Sequence, residues 1–161
     1  MAVRQRMVDH GFIGIVKEIG KMKGSFTKVG LPEGGKLAES SDGEITQMSD
    51  LITVGAVHEF GAPNRLIPER SFIRSATDEN REKIKKMQQI EIARITGGKS
   101  TAKESLQRMG TVMQGLIQRK IRSGEFTPLS PITIQKKGSS RPLIDTGQML
   151  QSIQHMEVIR D

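Results

Sequence analysis

Two helical patterns set back to back constrain this chain more than any other feature. Thr101-Ala102-Lys103-Glu104 is a full capping box, in which a hydroxyl and a carboxylate each accept a backbone N–H of the opening turn. Behind it Ala102, Leu106, Met109, Met113, Leu116, Ile117 and Ile121 recur at helical spacing until Ser123-Gly124 stops the run. Upstream, Ser75-Ala76-Thr77-Asp78 reads as a capping box with Asp in place of Glu, and Ile84, Met87, Ile92 and Ile95 follow a helical stripe to Gly97-Gly98. Two amphipathic helices joined by so short a turn pack antiparallel, which predicts a central helical hairpin.

The flanks are more mixed. Val8, Phe12, Ile15, Ile19 and Met22 lie along one side of a helix from about residue 4 to 22, although Gly11, Gly14 and Gly20 each weaken it by up to about 1 kcal/mol. Such a helix depends on packing against a partner surface. Phe26 to Leu31 reads as a short strand ended by Pro32-Glu33-Gly34-Gly35, and residues 33–47 have the polar, glycine-bearing composition of a mobile loop. Ser49 is placed to cap a helix that runs to Phe60, where Gly61 supplies a left-handed residue and Pro63 forbids continuation. Ser130-Pro131 opens a short helix closed by Gly138-Ser139-Ser140. Asp145 or Thr146 caps another that carries Met149, Leu150 and Ile153. A terminal strand at about 155–160 is expected to pair with 26–31, and loop residues are a further candidate for that sheet. The fold class is therefore α+β, in a single domain over 1–161.

Composition limits the core and the partners. Hydrophobic residues make up 35% of the chain, the aromatics are five Phe, and nine Met can fill interior gaps or adapt to a partner. The formal charge of +7 favours polyanions, yet the basic residues stand beside acids (Arg81-Glu82-Lys83, Lys103-Glu104) with no aromatic stacking platform among them. The absence of Cys removes disulfides, thiolate nucleophiles and Cys-based zinc sites. No signal peptide is read at the N-terminus, because Lys17 interrupts the apolar stretch Phe12 to Val16, and no run is long enough for a transmembrane helix.

Candidate sites fall in two blocks, Val57 to Phe72 and Gly138 to Gln148. His58-Glu59 contains a proton-transfer pair in composition, but adjacent helical residues point about 100° apart. The second His of a His-Glu-x-x-His zinc site is replaced by Ala62. A His at a helix end, with Phe60 as apolar anchor, is the simpler reading. In Ile67 to Phe72, Pro68 fixes a backbone angle and Phe72 is a packing anchor, which leaves Glu69 and Arg70 to pair across a subunit boundary or merely at a surface turn. Lys136, Lys137 and Arg141 flank a Gly-Ser loop suited to an anion, without P-loop spacing; contact with DNA or an acidic neighbour is the reading they allow. Asp145-Thr146-Gly147 matches the aspartic-protease triplet, but it precedes a helix in a mostly helical chain, so a cap is the better account.

In this order around a charged helical middle, the two blocks resemble the tail-completion family of tailed bacteriophages, the head-tail joining or neck proteins also known as virion morphogenesis proteins. The resemblance extends from about residue 26 to the C-terminus. The family pattern carries Pro where this chain has Ser71, which relaxes the turn and leaves the charged pair and Phe72 in place. The resemblance implies a structural virion protein of the neck, not an enzyme, with no cofactor or metal and no membrane partner. It would form a homo-oligomeric ring, six-fold in the expectation, between the head connector and the tail terminator or tail tube, with passive contact to phage DNA. It would reside in the virion, and in host cytoplasm during assembly. His58, Glu59, Phe60, Gly61, Pro68, Glu69, Arg70, Phe72, Asp145, Thr146 and Gly147 would then be structural or subunit-interface residues. The alternative is a DNA-binding accessory protein of phage morphogenesis, suggested by the charge and by the 136–141 segment.

Overall fold

The computed structural model describes residues 11–39, 45–137, 140–144 and 146–160. Its elements are α1 (Phe12–Met22), β1 (Phe26–Gly30), α2 (Met48–Phe60), a 3-10 turn (Pro63–Arg65), α3 (Ile73–Glu79), α4 (Arg81–Thr96), α5 (Ala102–Ser123), α6 (Pro131–Lys137), α7 (Gln148–Gln151) and β2 (Gln154–Val158). The α+β class expected from the sequence is the observed one. α5 is the organising rod, with the two strands, α1, α3, α4 and α7 all packed on it. Its capping box is complete: the Thr101 side chain accepts from the Glu104 N–H, and Glu104 accepts from the Thr101 N–H.

β1 and β2 pair antiparallel, with Phe26 opposite Val158, Val29 opposite His155 and Gly30 opposite Gln154. A two-stranded sheet needs a covering surface to persist, and α5 supplies it. The approach is closest at Gly110, where an added Cβ would lie 2.7–2.9 Å from the His155 side chain. His155 Nδ1 in turn lies 2.7 Å from Gln114 Oε1, so the strand is tied as well as packed. β1 ends at Gly30 in place of Leu31, and β2, at Gln154–Val158 in place of 155–160, starts one residue earlier and ends two earlier.

The core gathers Leu51, Phe72, Ala76, Ile117, Ile121, Leu143, Met149 and Ile153. Leu37 and Ile45, from the segment read as a loop, pack against it. The described flanks of that loop are anchored: Gln148 Nε2 donates to the Ala38 and Ile45 carbonyls at 2.8 and 2.9 Å, and the Ala38 N–H donates to Ser152 Oγ at 2.9 Å. Residues 40–44 lie outside the described residues. None of the loop's described residues joins the two-stranded sheet.

Several local expectations are corrected. The helix expected from Ser75 to Gly97 is two helices, broken at Asn80, whose side-chain amide donates to the Ala76 carbonyl at 2.9 Å. Ser75 lies inside α3 and caps nothing; its N–H donates to Ser71 Oγ at 3.3 Å. Ser49 is likewise inside α2, which begins after Gln47 with no side-chain cap. On α4 the inward stripe is Ile84, Met87, Glu91 and Ile95, while Ile92 is 55% exposed. Glu91 is a buried carboxylate that Arg108 grips with Nε at 3.0–3.1 Å and Nη2 at 2.6 Å, while Arg94 reaches it at 3.2 Å. The Arg108 guanidinium holds the Glu91 carboxyl below the usual carboxylate range against the opposing effect of burial. Across the described residues, no helix is long and apolar enough to cross a membrane.

Candidate functional site

The Val57–Phe72 block folds into a clasp. α2 ends at Phe60, and Gly61, at φ 74°, turns the chain out of the helix. The position requires glycine on two counts, since an added Cβ would also lie 2.9 Å from the Glu69 nitrogen. Pro63–Arg65 make one 3-10 turn, and Ala62 and Ile67 exchange backbone hydrogen bonds at 2.9 and 3.1 Å, so the excursion closes on itself. The returning strand runs back past α2, where the Arg70 N–H donates to the His58 carbonyl at 2.7 Å.

Glu59 is the centre of the arrangement. It is 6% exposed, and its Oε2 accepts from the Phe72 and Ile73 N–H groups at 2.7 and 2.9 Å while Oε1 accepts from Arg74 N–H at 2.9 Å. Those amides open α3 and have no partner within the helix, so a carboxylate from α2 caps a helix beginning fourteen residues later. Arg74 closes the clasp from outside. Its guanidinium donates to the Glu59 carbonyl at 3.2 Å, lies 3.6 Å from Glu59 Oε1, pairs with Glu69 at 2.5 Å and sits 5.5 Å from the centre of the Phe60 ring.

The expectation that Glu69 and Arg70 stay available to pair across a boundary is corrected. Neighbouring residues on extended chain point to opposite sides. Glu69 faces solvent and Arg74, whereas Arg70 turns inward to 5% exposure and donates to the Thr127 and Pro128 carbonyls at 2.9 and 3.3 Å. Burial lowers the Arg70 pKa from its ordinary value. Arg70 therefore staples the connection after α5 to the clasp. Phe72, 1% exposed, enters the core beside Leu51 and Ala76. Pro68 is half-buried on the returning strand.

The second block converges on the same core. Leu143 and Met149 are both core members, and Leu143 holds a positive φ of 63°. Thr146 Oγ1 accepts from the Gln148 N–H at 3.3 Å, and Gly147, at φ 79°, stands immediately before α7. Asp145 lies outside the described residues, as do the side chains of Lys136 and Lys137; Arg141 is exposed. The structure thus brings Phe72, Leu143 and Met149 into one core, with Glu59 held on the Phe72 N–H.

Chemically, the clasp is an internal acceptor site whose carboxylate oxygens are committed to three amides and an arginine. Among the described residues no group of three or more His, Cys, Asp or Glu is arranged to hold a metal ion. Beside the exposed Asn64, Arg65, Glu69 and Arg74, the clasp holds two large apolar side chains outward: Phe60 is 67% exposed and Leu66, at φ 55° on the tip of the 3-10 turn, is 92% exposed. A left-handed leucine is uncommon, and none of the described residues covers this one. Sequence reasoning did not single out Leu66, Gln148 or the Glu91–Arg108 pair. Glu91 carried a signal, because it falls on the stripe of Ile84, Met87 and Ile95. Set against known protein families, curated proteins and solved structures, the chain matches none.

Proposed function

We propose that this chain is a structural subunit of the neck of a tailed bacteriophage, assembling as a ring, six-fold in our reading, between the head connector and the tail. It acts by protein–protein contact and carries no bond-making chemistry of its own. The motif order in the sequence supports this reading. The observation that carries it is the set of large apolar side chains held in solvent on rigid supports: Phe60 and Leu66 on the clasp, and Phe12, Val16 and Ile19 on α1. Backbone strain concentrates at functional positions, and here it serves to project a leucine outward. The clasp fixes that projection by tying α2, the returning strand and α3 together through Glu59.

The test is genetic. A lysate of the parent phage lacking this protein should accumulate separate full heads and finished tails, and adding back the purified protein should restore infectious particles. Joined, infectious particles in the deficient lysate would refute the proposal. A second reading, DNA binding, is favoured by Lys83, Lys85 and Lys86, which are exposed on α4 and make no ion pair among the described residues. Binding of the isolated protein to duplex DNA that weakens steeply with salt would support that reading, and absence of binding at low salt would remove it.

A further inference from the structure

The positive charge of this chain is concentrated in the α4/α5 hairpin. Residues 81–123 hold eleven Lys or Arg against three Glu, a net +8, and the whole chain carries +7, which leaves the remainder at −1. From Ser105 to Ser123, α5 bears four basic residues and no acid. Two of the three Glu are spent inside the hairpin. Glu91 is buried under Arg108 and Arg94, and Glu104 is held by the Thr101 N–H and Ser100 in the capping box. Glu82 remains, exposed between Arg81 and Lys83 in sequence.

Four of the cations fall on one side. On α4, Lys83, Lys86, Ile90 and Arg94 follow at steps of three and four, so the lysines share the side on which Ile90 and Arg94 line the cleft towards α5. On α5, Thr111, Gly115, Arg119 and Arg122 follow at the same steps, which puts the arginines on the side where Thr111 lines that cleft. The Arg108–Glu91 pair sets the level of the two helices: Lys86 lies level with Met113, and Lys83 with Leu116. Lys86, Lys83, Arg119 and Arg122 therefore succeed one another along the hairpin about 4.5 Å apart, at 1.5 Å per residue. All four are exposed and make no ion pair among the described residues. Gly115 is exposed among them, and an added Cβ there would meet nothing within 4 Å, so the face is open at its centre.

We infer that this face of the hairpin seats the phosphate backbone of duplex DNA, without regard to sequence. The inference rests on the DNA-binding reading above and names its surface; it is independent of the neck role. A duplex presents one negative charge per about 1.7 Å of axis, and neutralising its phosphates releases counterions, so a row of unpaired cations gains more from it than from an isolated exposed carboxylate. Residues 81–123 contain no aromatic side chain, which leaves single-stranded bases nothing to stack on and selects the duplex. Phosphate contacts of this kind position a protein and read no bases.

The test uses the full chain and a fluorescein-labelled duplex of random sequence, roughly 24 base pairs long, followed by anisotropy from about 50 to 200 mM salt. Four phosphate contacts give log K a slope of about −3.6 on log salt, and losing two brings it to about −1.8. Lys83→Gln with Lys86→Gln, and Arg119→Gln with Arg122→Gln, should each produce that change and weaken binding about tenfold at the lowest salt. Gly115→Glu removes no side chain and enters open space; it should weaken binding about as much, with unchanged melting. Lys23→Gln with Lys28→Gln makes the same change of net charge just before and on β1, and should leave affinity within about twofold of the parent. A control that loses as much as the face variants would overturn the inference and leave the DNA reading standing, because binding would then follow net charge alone. No binding at the lowest salt would overturn both and leave the neck reading untouched. Poly-glutamate that competes as well as the duplex, charge for charge, would overturn the inference by reassigning the face to an acidic protein.

Discussion

Replacing Glu59 by Gln keeps the shape of the clasp and removes its charge, which makes it the sharpest single test of how the fold is held. The carboxylate accepts two amides on Oε2 and one on Oε1. In Glu59→Gln, the carbonyl can serve the Phe72 and Ile73 amides, but the new NH2 group then faces the Arg74 N–H, donor against donor. One buried donor left unmet costs about 1–3 kcal/mol. Loss of charge on the surviving bonds and at the α3 N-terminus adds about 1–2 kcal/mol. The sum is about 2–5 kcal/mol. In a domain of this size 1 kcal/mol moves the melting temperature by about 2–4 °C, so a fall of roughly 5–20 °C is expected in a circular-dichroism melt. Amide exchange at Phe72, Ile73 and Arg74 should accelerate together. Glu69→Gln is the control: it removes an ion pair more than half exposed at both partners and should cost at most about 1 kcal/mol. Equal small shifts for the two variants, or unchanged exchange at the three amides, would refute the reasoning.

Gly61→Ala places a Cβ 2.9 Å from the Glu69 nitrogen at a φ of 74°, and a loss of about 1–3 kcal/mol is expected in urea unfolding; an unchanged midpoint would contradict the geometry. Gly110→Ala drives a methyl into the His155 ring, which should cost about 1–3 kcal/mol and perturb β2 resonances before those of α4. Arg108 depresses the Glu91 pKa on folding, so the pair stabilises the protein fully above the unfolded carboxylate value of about 4.3, and that contribution disappears as pH falls through the lower folded value. Glu91→Gln should therefore be less stable than the parent at pH 7 and lose that disadvantage in strong acid, as read from denaturant midpoints across pH; a deficit independent of pH would argue against the pairing.

How much of this was legible in the sequence depends on the range of each interaction. The Thr101–Glu104 box and the α5 face involve residues three and four apart, and both stand as expected, with Ala102, Leu106, Leu116, Ile117 and Ile121 buried. The two strands were visible as alternating segments. Their register was not, because it is set where His155 meets Gly110, forty-five residues away in the chain. α3 was misplaced because its true cap is Glu59, a residue of another helix that reaches the site only once the chain has reversed at Gly61. Arg70 was expected to face a boundary and instead turns inward, since only the fold decides which side of an extended segment is buried. Of the stripe expected on α1, Val8 lies outside the described residues. The helix lies on Ile15, Glu18 and Met22, however, and its Phe12 and Ile19 remain outside.

In the proposed neck role this fold is clasped by copies of itself and by adjoining virion parts. High-resolution imaging of mature particles of the parent phage tests it most directly. A ring of this fold is expected at the head–tail junction, with Phe60 and Leu66 buried against a neighbouring protein. Particles that show no density for the chain at that junction would contradict it.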